Sequence, residues 1–316
     1  MSDAALSVRV RGACHGFDVR SDLPICLTRD ADPERPMPPL YVRQAPAVLA
    51  EPTGPPVLEW VPGPGRPLAG RLHTLPDGYG MWIDGLGSYQ VDPSLPMITA
   101  PADLPPARWE FRLWGVPAAL CFIARGDLSL HAAAIDTGGA ALLLVGPGRF
   151  GKTTLAAAFL QAGYRILAED LCRCTLDPVP AVYPGPPILR IRRDSYARLK
   201  EFPGTHVVME EDDRIHLAID SSSMRGGGEP VPLGAIVTLQ TWSGPATFER
   251  LDPTVAIPLL WATSLNLPEH ADRARCFLGV SGLAGSVPVW RLSRRLEYSG
   301  LPHLVDRIVT TCMVRE

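Results

Sequence analysis

The sequence predicts an α/β protein, with a P-loop core domain on a mixed sheet over residues 107–316 and a smaller β-rich, proline-rich domain over 1–106. Three observations predict it. An apolar run at 140–145 leads into GPGRFGKT at 146–153, and that leads into an alanine-rich stretch ending at Gly163. Strand, glycine-rich loop and helix in that order form the setting in which such a loop holds phosphate. The chain then returns through a short apolar run that ends in Glu169 and Asp170. The two strands flanking the helix are therefore expected to run parallel, with a right-handed crossover. Finally, residues 69–92 alternate apolar runs with turn pairs, which reads as a β-meander.

Composition bounds the rest. The chain has 316 residues, 46% hydrophobic and 20% charged, enough for a sizeable core and unlike a disordered chain. Its formal net charge of -3 argues against a dedicated nucleic-acid binder. No apolar run reaches the roughly 18–20 residues of a membrane helix, and the first residues carry no secretory pattern, so a cytoplasmic protein is expected. Seven scattered cysteines without a CxxC pair read as reduced thiols. Cys172 and Cys174 form one close pair, too few ligands for a zinc site. Only Lys152 and Lys200 are lysines, so each is notable, because a compact ammonium does what a guanidinium cannot.

The elements follow in order. Residues 1–30 alternate as short strands do, for example over 6–10. Eleven prolines between 33 and 67 predict extended connections rather than helices or central strands. Residues 107–125 suit a helix that starts or kinks at Pro117. LSLHAAAI (128–135) and the run 140–145 flank a turn at 136–139 and predict a hairpin. Residues 153–163 predict a helix with Leu155, Phe159 and Ala162 on one face and Gly163 ending it. The polar stretch 201–230, including Glu210–Asp213 and the glycines after Arg225, reads as surface loops. Strands are expected over 233–239 and 287–292, and helices over 253–267 (despite Pro258), 271–286 and 302–313. No internal repeat is visible.

The loop carries the strongest signal. Gly146, Pro147, Gly148, Arg149, Phe150, Gly151, Lys152 and Thr153 fit G-x-x-x-x-G-K-[ST] at every fixed position, with Thr154 following. The glycines let successive N–H groups turn toward phosphate oxygens, and the helix adds its positive N-terminal end. Lys152 is then expected on the β- and γ-phosphates of ATP or another nucleoside triphosphate, and the Thr153 hydroxyl on Mg²⁺. Glu169 and Asp170 arrive at the same sheet edge as candidate metal ligands or base. Neighbours on a strand point opposite ways, so one is expected to face the metal and the other a different partner. A hairpin centred on Thr137 and Gly138 pairs residues whose numbers sum to 275, which sets His131 opposite Leu144 and near the phosphates. His73, His206 and His216 have no such placement. Arg190 and Arg192, in ILRIRR (188–193), share one strand face and are candidates for phosphate or substrate contact.

Leu130-His131-Ala132, the P-loop, and Leu167 to Asp170 together resemble the HPr kinase/phosphorylase family. That family places a histidine just before its P-loop and paired aspartates after the next strand, on a fold related to phosphoenolpyruvate carboxykinase. The entrance Arg125-Gly126 to Leu130-His131-Ala132 is also similar to smaller HPr-kinase-like proteins of peptide-modification clusters, some of which look like tailoring kinases for lasso-peptide precursors. The resemblance is specific over about 107–200 and loose beyond. It implies a kinase-like core and an ATP- and Mg²⁺-dependent Ser/Thr-type kinase, with Lys152 and Thr153 on phosphate and metal and Asp170 as the second family aspartate. Glu169 stands where the family has its first aspartate, one methylene longer. The R-G-L-G-like signature of the bifunctional enzymes is missing.

The reaction expected is phosphoryl transfer to a Ser or Thr hydroxyl of a peptide or small protein, with a carboxylate assisted by His131 taking the proton. A kinase of a small hydroxyl metabolite and a non-catalytic nucleotide-binding regulator are the alternatives. No nucleic-acid or membrane partner is expected; an oligomer is compatible with the sequence.

Overall fold

A computed structural model of the chain describes residues 8–45, 49–61, 69–101, 104, 106–211, 213–220, 223 and 228–313. The first strands are β1 (Val10–Cys14), β2 (Phe17–Ser21), β3 (Pro39–Gln44), β4 (Leu58–Trp60), β5 (Gly70–Leu75), β6 (Gly78–Ile83), β7 (Gly87–Asp92) and β8 (Met97–Ala100). They form one eight-stranded sheet in the order β1-β2-β3-β8-β7-β6-β5-β4. The meander expected over 69–92 is β5–β6–β7, with tight antiparallel registers. The proline-rich stretch corrects one expectation. It contains an interior strand, β3, paired in parallel with both β2 and β8. Proline is tolerated there because Pro39 is the strand's first residue, where a missing N–H breaks no interior ladder bond. Residues 6 and 7 lie outside the described residues, and β1 begins at Val10.

The helix expected over 107–125 is two: α1 (Pro106–Leu113) and α2 (Val116–Ile123), broken at Trp114 and Gly115, with Pro117 in the first turn of α2. Proline fits there because the first N–H groups of a helix have no partner to lose. Both helices pack on the eight-stranded sheet. Trp109, Leu113, Ala118, Leu120 and Phe122 share one core with Phe17, Val19, Leu40, Leu72, Tyr89 and Ile98.

The remainder runs β9 (Leu128–Leu130), β10 (Ala132–Asp136), β11 (Ala141–Val145), α3 (Lys152–Gln161), β12 (Arg165–Ala168), β13 (Cys172–Thr175), β14 (Ala181–Val182), β15 (Ile188–Arg192), α4 (Arg193–Leu199), β16 (Thr205–Glu210), β17 (Arg214–Ile219), β18 (Val231–Thr241), β19 (Thr247–Arg250), α5 (Pro253–Thr263), α6 (His270–Ser286), β20 (Val289–Arg294) and α7 (Leu301–Cys312). A nine-stranded mixed sheet is ordered β12-β10-β11-β18-β14-β13-β9, with β20 parallel to β18 and β19 antiparallel to β20. β11 and β12 are both antiparallel to the strand between them, β10, and so run parallel to each other as expected.

β11 explains the site's position. Its five residues are fully apolar and buried on both faces. Leu142 and Leu144 pack with Leu155 and Phe159 of α3 and with Val305 and Ile308 of α7. Ala141, Leu143 and Val145 pack with Leu260 of α5 and Val280 and Leu283 of α6. An unbroken apolar run is what a strand between two helical layers requires.

Three further expectations are corrected. LSLHAAAI is two strands interrupted at His131, because β9 pairs with β13 while β10 pairs with β11 and β12. The hairpin register is shifted by two, with Ile135 opposite Leu142 and Ala133 opposite Leu144. A four-residue connection, closed by Thr137 N–H to Ala140 C=O at 3.0 Å, sets it, rather than a two-residue turn. Residues 201–230 are not only loops: β16 and β17 form a three-stranded antiparallel sheet with β15, in the order β15-β17-β16, and Asp212 lies outside the described residues. Residues 225–227 lie outside the described residues.

Candidate functional site

The 146–151 loop leaves β11 and enters α3 through backbone that favours glycine. Gly146 and Gly151 have φ of 149° and 84°, and Arg149 is also left-handed at 69°. A Cβ on Gly151 would push against the end of the Arg294 side chain, and the left-handed backbone there favours glycine. No side chain caps the N-terminus of α3. Its first N–H groups therefore lack helical partners at the mouth of a cavity of about 1260 Å³. Gly148, Arg149, Gly151, Lys152, Thr153 and Thr154 line that cavity; Gly146, Pro147 and Phe150 do not. Phe150 instead packs against the core around α3.

Lys152 is 7% exposed and curls back, its Nζ donating to the Gly146 carbonyl at 2.7 Å and the Pro147 carbonyl at 3.2 Å. Burial lowers its pKa, with Asp170 and Glu169 acting against that shift. Both carbonyl bonds are exchangeable for phosphate oxygens, which bind an ammonium more strongly because they are charged.

Thr153 Oγ1 donates to Glu169 Oε1 at 2.5 Å. Glu169 is 6% exposed, and its Oε2 is buried with no partner. Burial, and then the neighbouring Asp170 charge, push its carboxyl above the usual range. An orphaned carboxylate oxygen beside a threonine hydroxyl is a hard oxygen set that suits Mg²⁺. No cluster of three or more His, Cys, Asp or Glu among the described residues makes a closed metal site. Two protein oxygens, with water and phosphate completing the shell, match how Mg²⁺ is usually held beside nucleotides. The fit is to a nucleotide-borne ion and not to a structural one. Cys172 and Cys174 are buried free thiols.

Asp170 departs from the expected strand alternation. It follows the end of β12 with φ of 72°, and this left-handed turn brings its carboxylate into the same cavity as Glu169. A non-glycine residue held there costs roughly 1–2 kcal/mol, a strain that the surrounding contacts must offset. His131 Nδ1 lies 2.8 Å from the Asp170 carbonyl and 3.3 Å from its Oδ1. A carbonyl only accepts, so Nδ1 is the donor to it. Arg190 donates to Asp170 Oδ2 at 2.7 Å and lies over the Phe111 ring of α1 at 5.0 Å. Desolvation opposes charge on Asp170, but the His131 hydrogen bond and the Arg190 guanidinium outweigh it and hold its carboxyl well below the usual range.

The structure thus brings His131, Lys152, Thr153, Glu169, Asp170, Arg190 and Arg192 to one cavity. Arg190 spends its charge on Asp170, and Arg192 stays open to the cavity at 37% side-chain exposure. Sequence reasoning missed Ser195 and Arg198 of α4, Arg214 of β17, Arg294 of β20 and Tyr298, all of which line it. Ser195 Oγ bridges Thr154 Oγ1 at 3.3 Å and the Tyr298 hydroxyl at 3.0 Å. Arg214 had a readable signal: RIHLAI (214–219) is strand-like, but the acidic run before it suggested a loop. No described helix is long and apolar enough to cross a membrane.

What the site defines is a mixed α/β protein with a glycine-rich loop facing paired carboxylates. No family model and no curated protein matches the sequence. Among solved structures the chain is similar to the HPr(Ser) kinase/phosphatase from Coxiella burnetii, at 12% identity, over 58% of this chain and 93% of that one, with a TM-score of 0.29.

Proposed function

We propose that the chain is a kinase that transfers the γ-phosphoryl group of ATP, or another nucleoside triphosphate, to a Ser or Thr hydroxyl of a peptide or small protein. One observation carries the reading. The GPGRFGKT loop and the Thr153–Glu169 pair share a cavity with the His131–Asp170–Arg190 group. A phosphate cradle alone binds; a cradle faced by an ionised, oriented carboxylate supports transfer.

The roles follow from the contacts. The loop N–H groups and the start of α3 hold the phosphate chain, and Lys152 turns from its carbonyls to the terminal phosphates. Thr153 and Glu169 hold Mg²⁺, which when bound neutralises charge on the transferring group. Asp170 is the base. Arg190 and His131 fix its direction and keep it ionised, so it accepts the proton as the hydroxyl oxygen bonds to the γ-phosphorus and the bond from that phosphorus to the β,γ-bridging oxygen breaks, releasing the nucleoside diphosphate. Its low basicity is adequate because the transition state is loose and the proton moves late. The cytoplasmic location and any oligomer belong to the same proposal. The modification of a ribosomally made peptide is its narrowest form.

The test is incubation of the purified protein with Mg²⁺-ATP and serine-containing peptides, then with small alcohols, followed by mass spectrometry. A gain of one phosphate on a peptide is expected. Transfer to small alcohols alone would favour a metabolite kinase, and tight ATP binding without any transfer would favour a regulator.

A further inference from the structure

Two arginines on the three-stranded sheet stand side by side with little negative charge to hold them. Arg192 of β15 and Arg214 of β17 are direct partners across an antiparallel ladder, where like charges repel. Both line the main cavity. Arg192 meets Asp213 at 3.9 Å, a loose pair with an acid that is itself 64% exposed. Arg214 donates to the Arg190 backbone carbonyl at 3.1 Å, and no carboxylate pairs with it among the described residues. Two residues back along the face of Arg192, Arg190 is engaged with Asp170 at 2.7 Å. The arginine pair therefore adjoins the proposed base. Arg214 also bears electrostatically on Glu169 and Asp170, which places it within the site and not on a distant rim.

The cavity as a whole is lined by seven Lys and Arg side chains against four Asp and Glu. A triphosphate in the loop uses the cations on or beside the loop. Arg192 and Arg214 stand on a different sheet from the loop, although Arg214 also bears on Lys152, and an anion supplied from outside would relieve the repulsion that Asp213, Glu169 and Asp170 leave between them.

We propose that Arg192 and Arg214 bind the acceptor, and that the acceptor is an acidic peptide, with carboxylate or phosphate groups flanking the hydroxyl to be modified. This deepens, and rests on, the phosphoryl-transfer reading above. Each guanidinium offers two parallel N–H donors to one carboxylate or phosphate, so two adjacent arginines read two anionic groups or clamp one. A short acidic segment fits a cavity of about 1260 Å³. A long polyanion such as nucleic acid would meet a chain of net charge -3.

The test uses the full chain with Mg²⁺, a non-hydrolysable ATP analogue and two fluorescent peptides of equal length. Each holds one serine, flanked by glutamates in one peptide and glutamines in the other. Anisotropy reads binding before any turnover. The acidic peptide is expected to bind at least about tenfold tighter, the worth of one charge-assisted contact, and the advantage should shrink as salt rises. Arg192→Gln should lose part of it, and Arg192→Gln with Arg214→Gln nearly all, with the affinity for the analogue unchanged. Equal binding of both peptides by the wild type overturns the proposal. So does a double variant that keeps the preference, or one that loses the analogue instead, which would assign the arginines to the nucleotide. Thermal melting checks folding; if the double variant does not fold, Arg192→Gln, which among the described residues pairs with no acid but Asp213, decides alone. Phosphate incorporation is scored separately. A retained acidic preference without transfer would sink the kinase reading and leave an acidic-peptide site; transfer without the preference would do the reverse.

Discussion

Asp170 combines three features that a bystander carboxylate lacks: a left-handed backbone, an arginine on one oxygen and an imidazole on the other. If it is the base, Asp170→Asn should lower kcat by roughly 10²–10⁴-fold and leave nucleotide affinity nearly intact. Steady-state turnover and analogue titration on the same preparation separate the two effects. A variant that keeps its turnover would assign the strain another cause. Glu169 makes the opposite trade. Its carboxyl titrates above the usual range because it is buried and sits beside Asp170. Ionising it therefore costs the folded state stability as pH rises through that range. Glu169→Gln removes the cost, so the variant's stability relative to wild type should grow from acid to neutral pH while Mg²⁺-dependent nucleotide binding falls. Denaturant titrations at both pH values check the sign, and a gap that closes toward neutrality would contradict it. Both acids were legible in the sequence because they are adjacent and follow the one strand that the loop helix feeds. Ser195 and Arg294 were not, and Arg214 was readable only as part of a strand, since only tertiary pairing brings all three to the cavity.

The elements that hold this geometry were readable where one pattern dominated. β11 declares itself by an unbroken apolar run, and the meander by turns at regular spacing. β16 does not, because His206, Val207, Val208 and Glu210 are all exposed, and an edge strand with no consistently buried face shows no alternation. β13 carries a different load. Arg173 is nearly buried, ion-paired with Asp127 at 2.5 Å, and lies over the rings of Tyr183 at 4.2 Å and Phe17 at 4.6 Å. Its guanidinium also donates to the His15 carbonyl, tying β13 to the turn between β1 and β2. Arg173→Ala leaves Asp127 unpaired in a poorly solvated place, and should cost about 3–5 kcal/mol of stability, read by urea unfolding. A loss under 1 kcal/mol would show the pairing to be dispensable.

At the scale of the whole molecule, the core that unites the eight-stranded sheet also takes in α1 and α2. A fragment starting at residue 107 would bare Trp109, Phe111 and Phe122, which now pack on that sheet. It should show no cooperative melt in circular dichroism, whereas the full chain should; an independent cooperative melt of 107–316 would place the division where the proline-rich composition suggested it. Composition changes near 106, where the sequence suggests a division, but helices that lean back on an earlier sheet leave no mark in composition. The cavity is likewise a product of the whole, built by the loop, β12, the β15–β17 sheet and the segment after β20. Its proposed occupant is the central claim. Calorimetric titration of the Mg²⁺ complex of a non-hydrolysable ATP analogue into the wild type and Lys152→Met tests it most directly. A single site should appear in the wild type and weaken at least about tenfold in the variant, the loss of one charged contact; heats that are absent from both, or identical in both, would contradict it.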